Sequence, residues 1–227
     1  AIAANTARSY YDPAPVGGQG SYMYLPGVSG AYASTPDSTA VSITGDIDIR
    51  VMVAMTDWTP STAQAIVAKY VVAGNQKSFV LMVNSTGTLI WYMSSNGSAD
   101  TDNTKLSTVA TGFADGSTNW LRVTKSVSTG DITFYTGADG VSWTQLGGVV
   151  SGSATNIFDS TSPVELGTYS NGTGSPSSCR IYRAQLYNGI NGTLVADFDP
   201  TRTTQASTSF SGSTGETWTI NGRGFIY

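Results

Sequence analysis

Between Trp120 and Leu146 the chain reads WLRVTKSVSTGDITFYTGADGVSWTQL, and apolar and polar residues alternate along it. Leu121 and Val123 fall on one face, Arg122 and Thr124 on the other; Ile132 and Phe134 oppose Thr133 and Tyr135. Ser128-Thr129-Gly130 and Gly137-Ala138-Asp139-Gly140 interrupt the alternation. A period of two with Gly and Asp at the breaks predicts antiparallel strands over 120–127, 131–136 and 141–146, joined as hairpins. A sheet with one dry and one wet face must bury the dry one against a second sheet.

The same pattern continues elsewhere. The strongest single strand spans 43–55: Ile47, Ile49, Val51 and Val53 point one way, Asp46, Asp48, Arg50 and Met52 the other. Tyr22 and Tyr24, then Ala31-Tyr32-Ala33, predict two short strands split by Pro26-Gly27. Further strands are expected over 63–72, 78–84, 88–94, 106–110, 164–169, 179–187, 194–198, 217–220 and 225–227. The last should be tied into a sheet, with the two chain ends paired. Residues 1–20 carry Asp12-Pro13-Ala14-Pro15 and Gly17-Gly18-Gln19-Gly20, which break regular structure. They read as an irregular arm, with Tyr10 and Tyr11 suited to docking on a neighbour. The expected architecture is all-β: a two-sheet antiparallel jelly-roll sandwich over 21–227 behind an N-terminal arm.

Charged residues make up 11% of the chain and the net charge is −4. An acidic, sparsely charged surface argues against nucleic acid as a partner. No apolar run is long enough for a membrane-spanning helix. The opening AIAANTARSYY lacks the hydrophobic segment of a signal peptide. Cys179 is the one cysteine, so no intrachain disulfide can form, and it reads as a buried, inert side chain.

FYTGADGVSWTQL at 134–146, ELG at 165–167 and RIYRAQLYNGINGTLVADFDP at 180–200 together resemble the concanavalin A-like lectin/glucanase superfamily. They are similar, more narrowly, to the laminin-G-like domains of minor tail and other virion proteins of phages infecting actinobacteria. YLPGVSGAYASTPDS at 24–38, DIDIRV at 46–51 and the closing WTINGRGFIY extend the resemblance over nearly the whole chain. It implies a non-enzymatic virion surface protein, in the tail or decorating the head. It would be anchored to other virion proteins through the arm, assembled as a homo-oligomer, and able to touch host-surface glycans. A dedicated carbohydrate-binding module is the alternative, and a glycan hydrolase a third reading.

Hydrolases of that superfamily carry two carboxylates in a Glu-x-Asp-x-x-Glu run, as acid and nucleophile or base. This chain has Glu165 and Glu216 as its only glutamates, neither with a carboxylate two residues away. The motif is absent. The pairs Asp46/Asp48 and Asp197/Asp199 read as a solvated strand face and as a strand end entering the Pro200 turn. With no histidine, Ser-His-Asp and Cys-His chemistry is excluded. No cofactor is expected, although calcium, which takes oxygen ligands, has candidates in Asp100, Asp102 and Asn103 of SADTDN, or Asp139 of GADG. The latter reads more simply as a hairpin turn. Sugar binding pairs aromatic faces with orienting polar groups. The candidates are Trp58, in a polar loop, with Tyr92, Tyr135, Arg50 and Arg122; Trp91 and Trp143 are further aromatics. The Asn-x-Ser/Thr triplets at Asn84, Asn96, Asn171 and Asn191 read as turns.

Overall fold

A computed structural model describes residues 20–227 of the chain, so the expected arm, apart from Gly20, lies outside the described residues. In chain order the strands are β1 (Met23–Pro26), β2 (Tyr32–Thr35), β3 (Ile47–Met55), β4 (Gln64–Val71), β5 (Gln76–Val83), β6 (Leu89–Met93), β7 (Asp102–Leu106), β8 (Thr118–Lys125) and β9 (Asp131–Gly137). There follow β10 (Thr144–Gln145), β11 (Val150–Ser151), β12 (Val164–Leu166), β13 (Ser178–Asn188), β14 (Thr193–Phe198), β15 (Ser209–Ser211), β16 (Thr217–Asn221) and β17 (Phe225–Ile226). The first sheet runs β10-β9-β8-β3-β13-β1-β17, with β11 on β9 and β14 on β13; the second runs β15-β16-β2-β12-β4-β5-β6-β7. The expected antiparallel two-sheet sandwich is what forms, and β1 pairs with β17, bringing the ends of the domain together.

The core follows from the period of two. Ile47, Ile49, Val51 and Val53 of β3 are all fully buried, as are Leu121 and Val123 of β8 and Ile132 and Phe134 of β9. They meet Phe79, Leu81 and Trp91 of the second sheet in one cluster. Phe79 and Trp91 lie parallel at 5.9 Å. Cys179 is buried here, and burial pushes its thiol up to about 12.

Three expectations are corrected. The third strand of the central run shrinks to Thr144–Gln145, because Asp139 turns the chain by accepting from the amides of Val141 and Ser142. The strand expected over 106–110 lies earlier, at β7, and takes in Asp102 and Asn103. Asp48 is not on a solvated face: it has no exposure at all. Asp199 does end its strand as expected, capping a short 3-10 turn by accepting from the amide of Thr201.

Candidate functional site

The outward positions of the first sheet form a ladder whose rungs are set by register. Across β3 and β8, Asp48 faces Thr124, Arg50 faces Arg122 and Met52 faces Trp120. On the flanks, β13 sets Tyr187 beside Asp48, Gln185 beside Arg50 and Arg183 beside Met52, while β9 sets Tyr135 beside Arg122. Cross-strand neighbours on one face stand close enough to interact directly.

Asp48 organises the first two rungs. Its Oδ1 accepts from Nε of Arg122 at 2.9 Å and from Nε of Arg50 at 3.3 Å. Its Oδ2 accepts from Nη2 of both arginines at 2.8 Å and from the amide of Asn191 at 3.1 Å. Asn191 Oδ1 accepts again from the two Nη2 groups, at 2.8 and 2.9 Å. Burial pushes the Asp48 carboxyl up, but the hydrogen bonds from Arg50 and Arg122 and the charge of Arg122 outweigh it and hold it below the usual carboxylate range.

Aromatic rings wall the pair. The Arg50 guanidinium lies 4.3 Å from the Tyr187 ring centre and that of Arg122 lies 4.9 Å from Tyr135. Trp143, from the turn leading into β10, stands 5.8 and 5.7 Å from the two. It meets Trp120 edge-on at 6.2 Å. Gly140 permits this approach: its φ is +74°, and a Cβ there would fall 2.7 Å from the Trp120 ring. Tyr135, Trp143 and Tyr187 are half-buried, so each keeps part of its surface open to solvent. One rung further along, Met52, Trp120, Tyr182, Arg183 and Asp199 line a cavity of about 240 Å³ on the same face. Arg183 is itself held by Asp197, Nε to Oδ1 at 2.9 Å and Nη2 to Oδ2 at 2.8 Å.

Of the residues singled out from sequence, Arg50, Arg122 and Tyr135 come together here. Trp58 does not. It is buried in the core, edge-on to Phe113 at 5.0 Å, and its Nε1 donates to the Ser117 carbonyl. Tyr92 sits on the opposite sheet, its hydroxyl 3.2 Å from Thr104 Oγ1. The calcium candidates are committed elsewhere: Asp102 forms a buried ion pair with Lys125, and Asp100 accepts from the Tyr70 hydroxyl at 2.7 Å. Trp143, one of the further aromatics named from sequence, joins Arg50, Arg122 and Tyr135, whereas Asp48, Tyr187 and Asn191 were not among the sequence candidates. The contribution of Tyr187 and Asn191 depends on the register of β13 against β3, more than a hundred residues away in sequence.

The arrangement can bind but offers little for hydrolysis. Asp48, its central carboxylate, is pinned in the ionised state. Glu165, which burial pushes up to about 7, lies on the second sheet without exposure. Glu216 accepts from the Asp197 amide and from Trp218 Nε1. Among the described residues, no paired acid and base is seen beside Arg50 and Arg122.

No protein-family model matches the chain, and neither does any curated protein. Solved structures do. A heptameric SAP-like pentraxin from Limulus polyphemus matches with TM-score 0.55 and 12% identity over 91% of this chain and 97% of its own. A protein of Bacteroides ovatus, provisionally described as carbohydrate binding, matches with TM-score 0.60 and 10% identity over 92% of this chain and 60% of its own. The CBM40 of a Ruminococcus gnavus IT-sialidase, solved with α2,3-sialyllactose, matches with TM-score 0.53 and 14% identity over 73% of this chain and 91% of its own. At such identities the likeness is one of fold, and it agrees with the two-sheet antiparallel jelly-roll sandwich described above.

Proposed function

We propose that the chain is a carbohydrate-binding module that presents the outer face of its first sheet to glycans and carries out no chemistry on them. The observation that carries this reading is the set of half-exposed rings, Tyr135, Trp143 and Tyr187, gathered around two fixed guanidiniums. Rings offer flat apolar area to a pyranose, and fixed donors orient its hydroxyls. The cavity beside Trp120 continues the surface. At about 240 Å³ it is smaller than the ~300–1,000 Å³ of drug-sized ligand sites, which suits one sugar unit at the end of a chain. Two of the neighbours in fold are described by their names as carbohydrate-binding, which supports the class. A glycan array probed with the folded protein tests it: retained spots that vanish with Tyr187→Ala and Trp143→Ala support it, and a blank array across bacterial and animal glycans contradicts it.

The setting is proposed from the sequence resemblance alone: display on a phage particle, in the tail or on the head, held to other virion proteins through residues 1–20. Peptide mass spectrometry of purified virions tests that placement independently of sugar binding.

A further inference from the structure

Arg50 and Arg122 stand directly opposite each other on adjacent strands, an arrangement that destabilises a sheet unless something offsets the repulsion. Asp48 is the offset present, and it supplies one negative charge against two positive ones. A single arginine would neutralise it. Both side chains are largely withdrawn from water, at 13% and 8% exposure, so the surplus positive charge is also poorly hydrated. Such charges are ordinarily matched by an opposite partner. Among the described residues, the only carboxylate in an ion pair with either guanidinium is Asp48.

The hydrogen bonds point the same way. Each guanidinium uses its Nε–Nη2 edge on Asp48 and its Nη2 again on Asn191. Among the described residues neither Nη1 has a hydrogen-bond partner, leaving one donor group from each arginine uncommitted. Two NH2 groups on two cations, both side chains held by one shared carboxylate, are the donors an oxyanion takes.

We infer that the Arg50–Arg122 pair is the seat of a negatively charged substituent on the bound sugar, a carboxylate or a sulfate ester. The inference rests on the glycan-binding reading and narrows it to acidic glycans. The substituent's oxygens take the two Nη1 groups and complete the charge balance, while the sugar ring lies against Trp143 and its neighbours.

Isothermal titration calorimetry at low and high salt tests it with four probes: lactose as the neutral parent, lactose 3′-sulfate, α2,3-sialyllactose and digalacturonate. At least one acidic probe is expected to bind about tenfold or more tightly than lactose, with the difference shrinking at high salt. Which arm responds separates carboxylate from sulfate. Arg50→Gln removes the surplus charge while leaving Arg122 to neutralise Asp48, and the acidic-to-neutral ratio is expected to fall towards one. Arg50→Lys, which keeps the charge but not the planar fork, is expected to retain part of the ratio; thermal melts establish that both variants fold. Equal binding of acidic and neutral probes overturns this inference and leaves the glycan-binding reading standing. An acidic preference that survives Arg50→Gln and Arg122→Gln also overturns it. Binding of none of these probes, where a wider array finds neutral glycans, overturns it as well; a blank array overturns both readings.

Discussion

Lys125 Nζ lies 2.9 Å from Asp102 Oδ2, with neither side chain exposed, and the two belong to different sheets. The ammonium also donates to the carbonyls of Gly130 and Ser153, and Asp102 Oδ1 accepts from the Ser153 amide. The pair therefore ties the β7 edge of one sheet to β8 of the other through the loop that follows β11.

Removing one partner of a buried pair strands the other charge, at a cost of about 3–5 kcal/mol. Asp102→Asn is expected to lower the melting temperature strongly while the acidic-sugar site, on the other side of the first sheet, keeps its affinity. Because Lys125 occupies Asp102 and Tyr70 occupies Asp100, millimolar calcium is expected to leave the melting curve of the wild-type protein unmoved. A calcium-induced rise would contradict that assignment.

Glu165 gives the domain a pH dependence. Its Oε2 accepts from the Asn171 amide, while Oε1 is buried without a partner. Burial raises the carboxyl from 4.5 to about 7, against the pull of the Asn171 and Gly172 amides. A folded-state value above the unfolded one favours the fold while the group is protonated. This contribution is complete below about 4.5, declines as pH rises, and is gone above about 7. The span corresponds to about 3 kcal/mol at most. Melting temperature measured from pH 5 to 8 is expected to fall with rising pH, and Glu165→Gln to flatten that slope. An unchanged slope in the variant assigns the dependence to another group.

Trp58 is a stability residue. Trp58→Ala is expected to cost about 3–5 kcal/mol by opening a cavity between the sheets. Trp58→Phe should cost less and leave sugar affinity intact. Loss of affinity in a fully folded Trp58→Phe protein would put this tryptophan back in the site.

Gly140 sets the position of Trp120. Gly140→Ala forces a left-handed backbone on a side-chain-bearing residue, at about 1–2 kcal/mol, and drives its Cβ into the Trp120 ring. Glycan affinity is expected to drop together with the near-ultraviolet tryptophan signal. An Ala variant with wild-type affinity would show that the Trp120–Trp143 contact is not needed for binding.

Alternation alone made most of the sandwich legible, because β3, β8 and β9 send an apolar residue into the core at every second position: Ile47, Ile49, Val51 and Val53, then Leu121 and Val123, then Ile132 and Phe134. It also placed Arg50 and Arg122 on the outward face. It could not reveal that they face each other, nor that Tyr187 and Asn191 close over Asp48, since pairing between β3 and β13 is a long-range choice invisible in local pattern. The same limit explains Trp58: its polar neighbours describe the loop's solvent side, whereas its own side chain turns inward to Phe113. The pairing of Asp102 with Lys125 was hidden because nothing local in SADTDN tells a carboxylate buried against a distant lysine from one open to a cation. β7 was displaced for the same reason, its polar DNTKL lacking the apolar period that marks a strand.

The five tryptophans allow the central claim to be tested in one spectrum. Trp120 and Trp143 belong to the proposed binding face; Trp58, Trp91 and Trp218 are buried in the core between the sheets. In a ¹⁵N–¹H correlation spectrum titrated with an acidic oligosaccharide, the indole signals of Trp120 and Trp143 should shift in step with saturation while the other three stay in place. Saturable binding that leaves Trp120 and Trp143 still and instead moves amides around Tyr92 on the second sheet would contradict the account.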